Sequence, residues 1–222
     1  MALRSKKMSP SSTRALAHQF DDPAQQFAAS SLGMWAFIAT EILFFGGLFA
    51  GYSVYRLSYP DGFAAASHHL DIVLGTVNTA VLIGSSLTMA LAIFSARFRS
   101  PRMIVVFLLA TLVLGTVFLG IKGAEYSHKF HEHLIPGANF SFPGANPRGV
   151  EIFFSFYFAM TGLHALHMVI GAALLVVMTI RAWRGHFSAE YYTPVEMVGL
   201  YWHFVDVIWI FLFPLLYLIG RH

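Results

Sequence analysis

Apolar residues run through this chain in long unbroken stretches rather than alternating with polar ones. Five stretches, at about 32–56, 72–95, 103–121, 150–180 and 197–219, are long enough to cross a bilayer, because hydrocarbon ~30 Å thick needs about 20 residues at 1.5 Å each. Residues 72–95 and 103–121 carry no charge at all. Strands crossing a membrane would alternate in polarity over about ten residues, and none of the five does so. The pattern predicts an all-α integral membrane protein, a five-helix transmembrane domain over 31–222 behind an arm at 1–30. Short connections carry Tyr59-Pro60-Asp61-Gly62, Ser100-Pro101 and Thr193-Pro194. The longest, about 123–149, holds the turn signals Ile135-Pro136-Gly137 and Phe142-Pro143-Gly144. No internal repeat and no second domain is visible.

Composition sharpens the class. Of 222 residues, 57% are hydrophobic and 11% charged, against about 25% charged in soluble domains, so a soluble fold is excluded. The net charge of +3 is spread over the membrane edges and does not form a nucleic-acid surface. Cysteine is absent, which removes disulfides, thiolate metal sites and any copper centre built on paired cysteines. Arg4, Lys6, Lys7 and Arg14 are followed by polar sequence to Ser31, not by the apolar core of a secretory signal. Residues 1–30 therefore read as a retained cytoplasmic arm, partly disordered. With the N-terminus inside, Arg97, Arg99, Arg102, Arg181 and Arg184 join those four in the cytoplasm. Arg56, Lys122, Lys129, Arg148 and Arg221 fall outside. The excess follows the positive-inside bias and puts the C-terminus on the outer side.

Ionisable residues inside the spans carry the candidate chemistry, because at bilayer depth such a group costs at least ~2.5–3.5 kcal/mol and has a partner or a purpose. Glu41 lies on the first span, His164 and His167 on the fourth, His203 and Asp206 on the fifth. Counted from the span centres, all five fall between the midplane and ~7 Å to its cytoplasmic side. This predicts a buried polar cluster. His164 and His167 share a helix face, as do His203 and Asp206, so Asp206 is placed to orient the His203 imidazole. Glu41 is expected to couple to one of the fourth-span histidines. Gly47 and Gly51 form a GxxxG pair suited to close helix packing.

Metal or haem ligation, a proton relay and a satisfied polar cluster that fixes packing all use such residues. A carboxylate-bridged di-iron site needs a Glu-x-x-His on each of two helices. Only Glu125-Tyr126-Ser127-His128 has that spacing. The dense run His128-Lys129-Phe130-His131-Glu132-His133 reads as a solvated interfacial segment. The packing cluster is the reading adopted from the residues alone. A proton-coupled carrier would show paired repeats and broken helices.

Five motifs, in order, resemble subunit III of the haem–copper terminal oxidases. They are Ala39-Thr40-Glu41-Ile42-Leu43-Phe44-Phe45, Val77-Asn78-Thr79, Gly123-Ala124-Glu125-Tyr126, Thr161-Gly162-Leu163-His164-Ala165-Leu166-His167 and Tyr201-Trp202-His203-Phe204-Val205-Asp206-Val207-Ile208-Trp209. The resemblance spans about residues 32–219 and matches the five-helix form. It implies an accessory subunit of a bacterial plasma-membrane oxidase that takes part in aerobic electron transport and proton translocation. No cofactor is expected in this chain, haem and copper being held by the partner subunits I and II. The family's role is to support proton uptake and to limit inactivation of the catalytic subunit, and membership of a respiratory supercomplex is open. Arg181 resembles a family position that contacts a phospholipid head group; with Trp183 and Arg184 it forms the lipid-binding candidate. The same motifs occur in accessory subunits of nitric oxide reductase complexes, which is the nearest alternative.

Overall fold

Proline stands at the first or second position of five of the six helices, where its missing N–H loses nothing and its fixed φ suits the first turn. In the computed structural model, which describes residues 18–98, 100–137, 139–144, 146–187 and 191–219, the helices are α1 (Pro23–Ser58), α2 (Pro60–His68), α3 (Ile72–Arg97), α4 (Pro101–His131), α5 (Pro147–Trp183) and α6 (Thr193–Tyr217). Asp22 caps α1 by accepting from the Gln25 N–H, Asp71 caps α3 through Leu74, and Asn146 caps α5 through Gly149. The exit of α5 is a Schellman motif: Gly185 at φ 72° allows its N–H to reach Ala182 O and the His186 N–H to reach Arg181 O.

All helices except α2 are long and apolar enough to cross a membrane. α3, α4, α5 and α6 close a ring in which each packs along its two neighbours, and α1 lies outside against α5 and α6. Aromatic rings fill the interior: Trp202, Trp209, Tyr157, Tyr217, Phe118, Phe153 and Phe154 are all fully buried. Trp202 sits where glycine leaves room. A Cβ on Gly115 or Gly171 would stand 2.7 and 2.9 Å from its ring.

Several expectations change. The first helix starts at Pro23, inside the stretch assigned to the arm, while Arg4, Lys6, Lys7, Arg14, Arg99 and Arg221 lie outside the described residues. Tyr59-Pro60-Asp61-Gly62 opens the helix α2 instead of making a simple turn. α2 presses on the start of α5 so closely that a Gly62 Cβ would meet Gly149 Cα at 2.9 Å. The third span does not stop at residue 121; α4 continues to His131. The Gly47–Gly51 pair brings no two backbones together. Gly47 faces open space and Gly51 meets only the Phe156 ring at 3.4 Å.

Candidate functional site

The five ionisable residues named from sequence do not form one cluster; helix rotation splits them into three places. Glu41 on α1 meets α5 where its Oε2 lies 3.3 Å from His167 Nε2. The other ring nitrogen, Nδ1, is 2.8 Å from Leu163 O of the preceding turn. A carbonyl only accepts, so Nδ1 carries a proton and Nε2 is the atom turned to Glu41. The Tyr201 hydroxyl of α6 donates to His167 O at 3.0 Å, and the Phe45 and Tyr201 rings flank the imidazole. The expected glutamate–histidine couple is therefore present, with His167 as the partner.

His164, one turn earlier, faces the ring interior. It is 1% exposed, sits between Phe118 and Trp209 at centroid distances of 5.4 and 5.2 Å, and neither ring nitrogen has a hydrogen-bond partner. His203 and Asp206 lie on the opposite side of α6 from α1, against α3. Asp206 does not orient His203. That role falls to Ser86, whose Oγ is 2.7 Å from His203 Nδ1. From the adjacent residues the Trp202 indole donates to Ser85 Oγ at 2.8 Å, and nearly two turns away the Trp209 indole donates to Thr79 Oγ1 at 3.0 Å.

The densest polar network is one that sequence reading missed. Lys122, placed on the outer side just beyond the third span, is 4% exposed inside the bundle. Its ammonium donates to Glu125 Oε2 at 2.9 Å, Tyr157 OH at 3.0 Å and Tyr217 OH at 2.9 Å. Both tyrosine hydroxyls in turn donate to Glu125 Oε1, at 2.8 and 2.5 Å. All three ammonium protons and both carboxylate oxygens are thus used, and the rings of Tyr126 and Trp209 also face the cation at 5.4 and 5.2 Å. The Tyr126 hydroxyl bonds to Thr161. The signal was present: Lys122, Glu125, Lys129 and Glu132 recur at spacings of three and four, one face of a continuing helix. Lys129 is buried as well and pairs with Glu132 at 2.5 Å, as His128 does at 3.1 Å. Burial pushes the Glu132 carboxyl up, but the Lys129 hydrogen bond and charge, with His128 and His69, outweigh it and hold the group below the usual range. The histidine-rich run is therefore split between a helix turn and the exit from it.

Arg181 closes α5 with its guanidinium 5.8 Å from the Phe187 ring, and Trp183 is 83% exposed. These side chains, with Arg184 at the C-cap, form an interfacial edge of the kind that anchors helices in lipid. The three histidines inside the spans face separate neighbours. His167 has both nitrogens engaged, His203 has one held by Ser86, and His164 is enclosed between aromatic rings. Among the described residues no three histidine, aspartate or glutamate side chains converge as ligands.

Comparison with known proteins adds to this geometry. A family model described as cytochrome c oxidase subunit III matches residues 25–221. A protein named cytochrome c oxidase subunit 3 from Thermostichus vulcanus is 35% identical over 191 residues, 86% of this chain and 87% of its own length. One of the same name from Alkalihalophilus pseudofirmus is 31% identical over 85% of this chain and 86% of its own length. A probable quinol oxidase subunit 3 from Staphylococcus saprophyticus is 28% identical over 92% and 96% respectively.

Proposed function

The chain belongs to the cytochrome c oxidase subunit III family, and from that membership we propose how its buried polar groups serve the complex. It is a multi-pass protein of the bacterial plasma membrane and an accessory subunit of a haem–copper oxidase, associated with the other oxidase subunits. Our reading is that it holds no redox centre of its own. Subunits I and II would carry the haem and copper, and this chain would brace the catalytic subunit and support proton uptake. The N-terminus would lie in the cytoplasm, and Arg181, Trp183 and Arg184 would hold a phospholipid head group.

The observation that carries the reading is the state of the histidines. The three embedded in the spans are separated by rotation into different neighbourhoods, one facing Glu41 at 3.3 Å and one hydrogen-bonded to Ser86. Scaffolding explains that arrangement, whereas a bis-histidine haem or a multi-histidine metal site needs imidazoles that converge on one point. Purification in mild detergent is the test. The chain is expected to leave the membrane with haem-bearing subunits that reduce oxygen, and to be colourless and metal-free once separated from them. Stoichiometric iron or copper in the separated chain would overturn the reading.

A further inference from the structure

Between α3 and α6, on the outer side of the ring, lies a crevice of about 320 Å³. A water's share of liquid volume is about 30 Å³, so the space takes a whole side chain. The floor is polar, with Thr79, Ser86, His203 and Asp206. Thr79 and Ser86 are already committed, the first to the Trp209 indole and the second to His203 Nδ1. Asp206 is different. It is 4% exposed, and neither carboxyl oxygen meets a donor in full hydrogen-bond geometry; Ser86, the nearest hydroxyl, is shared with His203 Nδ1. The lip is apolar: Ile83, Val207 and Ile210 are 56%, 46% and 49% exposed.

We propose that this crevice is the seat of a hydrogen-bond-donating side chain from a transmembrane helix of a partner oxidase subunit, with Asp206 as the acceptor. The proposal rests on the reading of the chain as a subunit of a larger oxidase. Depth selects the occupant. Asp206 lies near the middle of α6, ~17–20 Å from either helix end at 1.5 Å per residue. Hydrocarbon reaches only about 15 Å to either side of the midplane, so head groups do not reach this carboxyl and acyl chains offer no donor. A buried carboxyl without a partner is among the most expensive groups a membrane protein can hold, and a donor inserted from a neighbouring helix removes that cost. Ile83, Val207 and Ile210 then seal the contact as hydrophobic packing around a polar centre, the arrangement by which membrane helices associate.

The test uses the intact complex in native membranes, with a benzophenone amino acid at Val207 or Ile210 and, as a control face, at Leu43 on α1. Irradiation is expected to join position 207 or 210 to a transmembrane peptide of a partner subunit that carries a donor side chain. Adducts to lipid alone, in a complex that still co-purifies with its haem, would overturn the docking site while leaving the subunit reading intact. Failure to co-purify with any haem subunit would overturn both. In a detergent titration of the complex, Asp206→Leu should raise the dissociated fraction roughly three- to tenfold, the size of one interhelical hydrogen bond in a membrane. Asp206→Asn keeps an acceptor and should stay close to the wild type; loss as large as that of Asp206→Leu would argue against an acceptor role.

Discussion

A single proton governs the Glu41–His167 pair. Because Nδ1 is tied to Leu163 O, Nε2 receives a proton from a neutral Glu41 or shares one as imidazolium with the carboxylate. Glu41→Gln preserves a donor toward Nε2 and should leave assembly and haem content unchanged while slowing proton uptake modestly. Glu41→Leu strands Nε2 and should lower the stability of the complex by about 1–2 kcal/mol, read from thermal unfolding. Sequence gave access to this pair through depth: counting along the spans put Glu41 and His167 in one layer. It could not give azimuth. His164 and His167 are three residues apart, yet one faces Phe118 and Trp209 and the other Glu41 and Tyr201. Which residue meets which depends on how each helix is turned, and that is decided by packing.

At the scale of the helix, charge is tolerated where partners from other helices satisfy it, and this moved the end of α4. Lys122 and Glu125 look like the start of a loop to a hydropathy reading, which registers cost and not compensation. Their compensation comes from Tyr157 on α5 and Tyr217 on α6, distant in sequence. Removing one member leaves the other buried, so Lys122→Met should destabilise the complex by about 3–5 kcal/mol. Pairing it with Glu125→Gln should recover much of that loss, in a double-mutant cycle followed by thermal unfolding. Glycine supplies a second contrast. Gly115→Ala forces a methyl to within 2.7 Å of the Trp202 ring and should cost about 1–3 kcal/mol. Gly47→Ala enters open space and should be neutral or slightly stabilising. The five spans themselves were legible because uninterrupted apolar length is a local property. The glycines that matter were not, since GxxxG spacing says nothing of what stands opposite.

Across the whole molecule, burial is graded from one helix to the next. Within their most apolar windows, 56% of residues in α6 are buried inside the chain and only 11% in α1. α6 is therefore the keystone of the ring, and α1, which carries Glu41, is fastened at a few points. One fastening is specific. The last carbonyls of a helix have no donor within it, and the Tyr52 hydroxyl of α1 supplies one to Leu215 O near the end of α6 at 2.8 Å. The Tyr52 ring is itself buried against Phe63 and Phe153. Local opening is easiest where few buried contacts must break, so amide exchange in the detergent-purified chain should be fastest in α1 and slowest in α6. Tyr52→Phe keeps the ring and removes the tie. It should speed exchange in the second half of α1 and the last turn of α6 by about three- to tenfold, for a hydrogen bond of ~1 kcal/mol, with the middle of the ring unchanged. Uniform acceleration through all five spans would mean instead that α1 and the ring open as one unit.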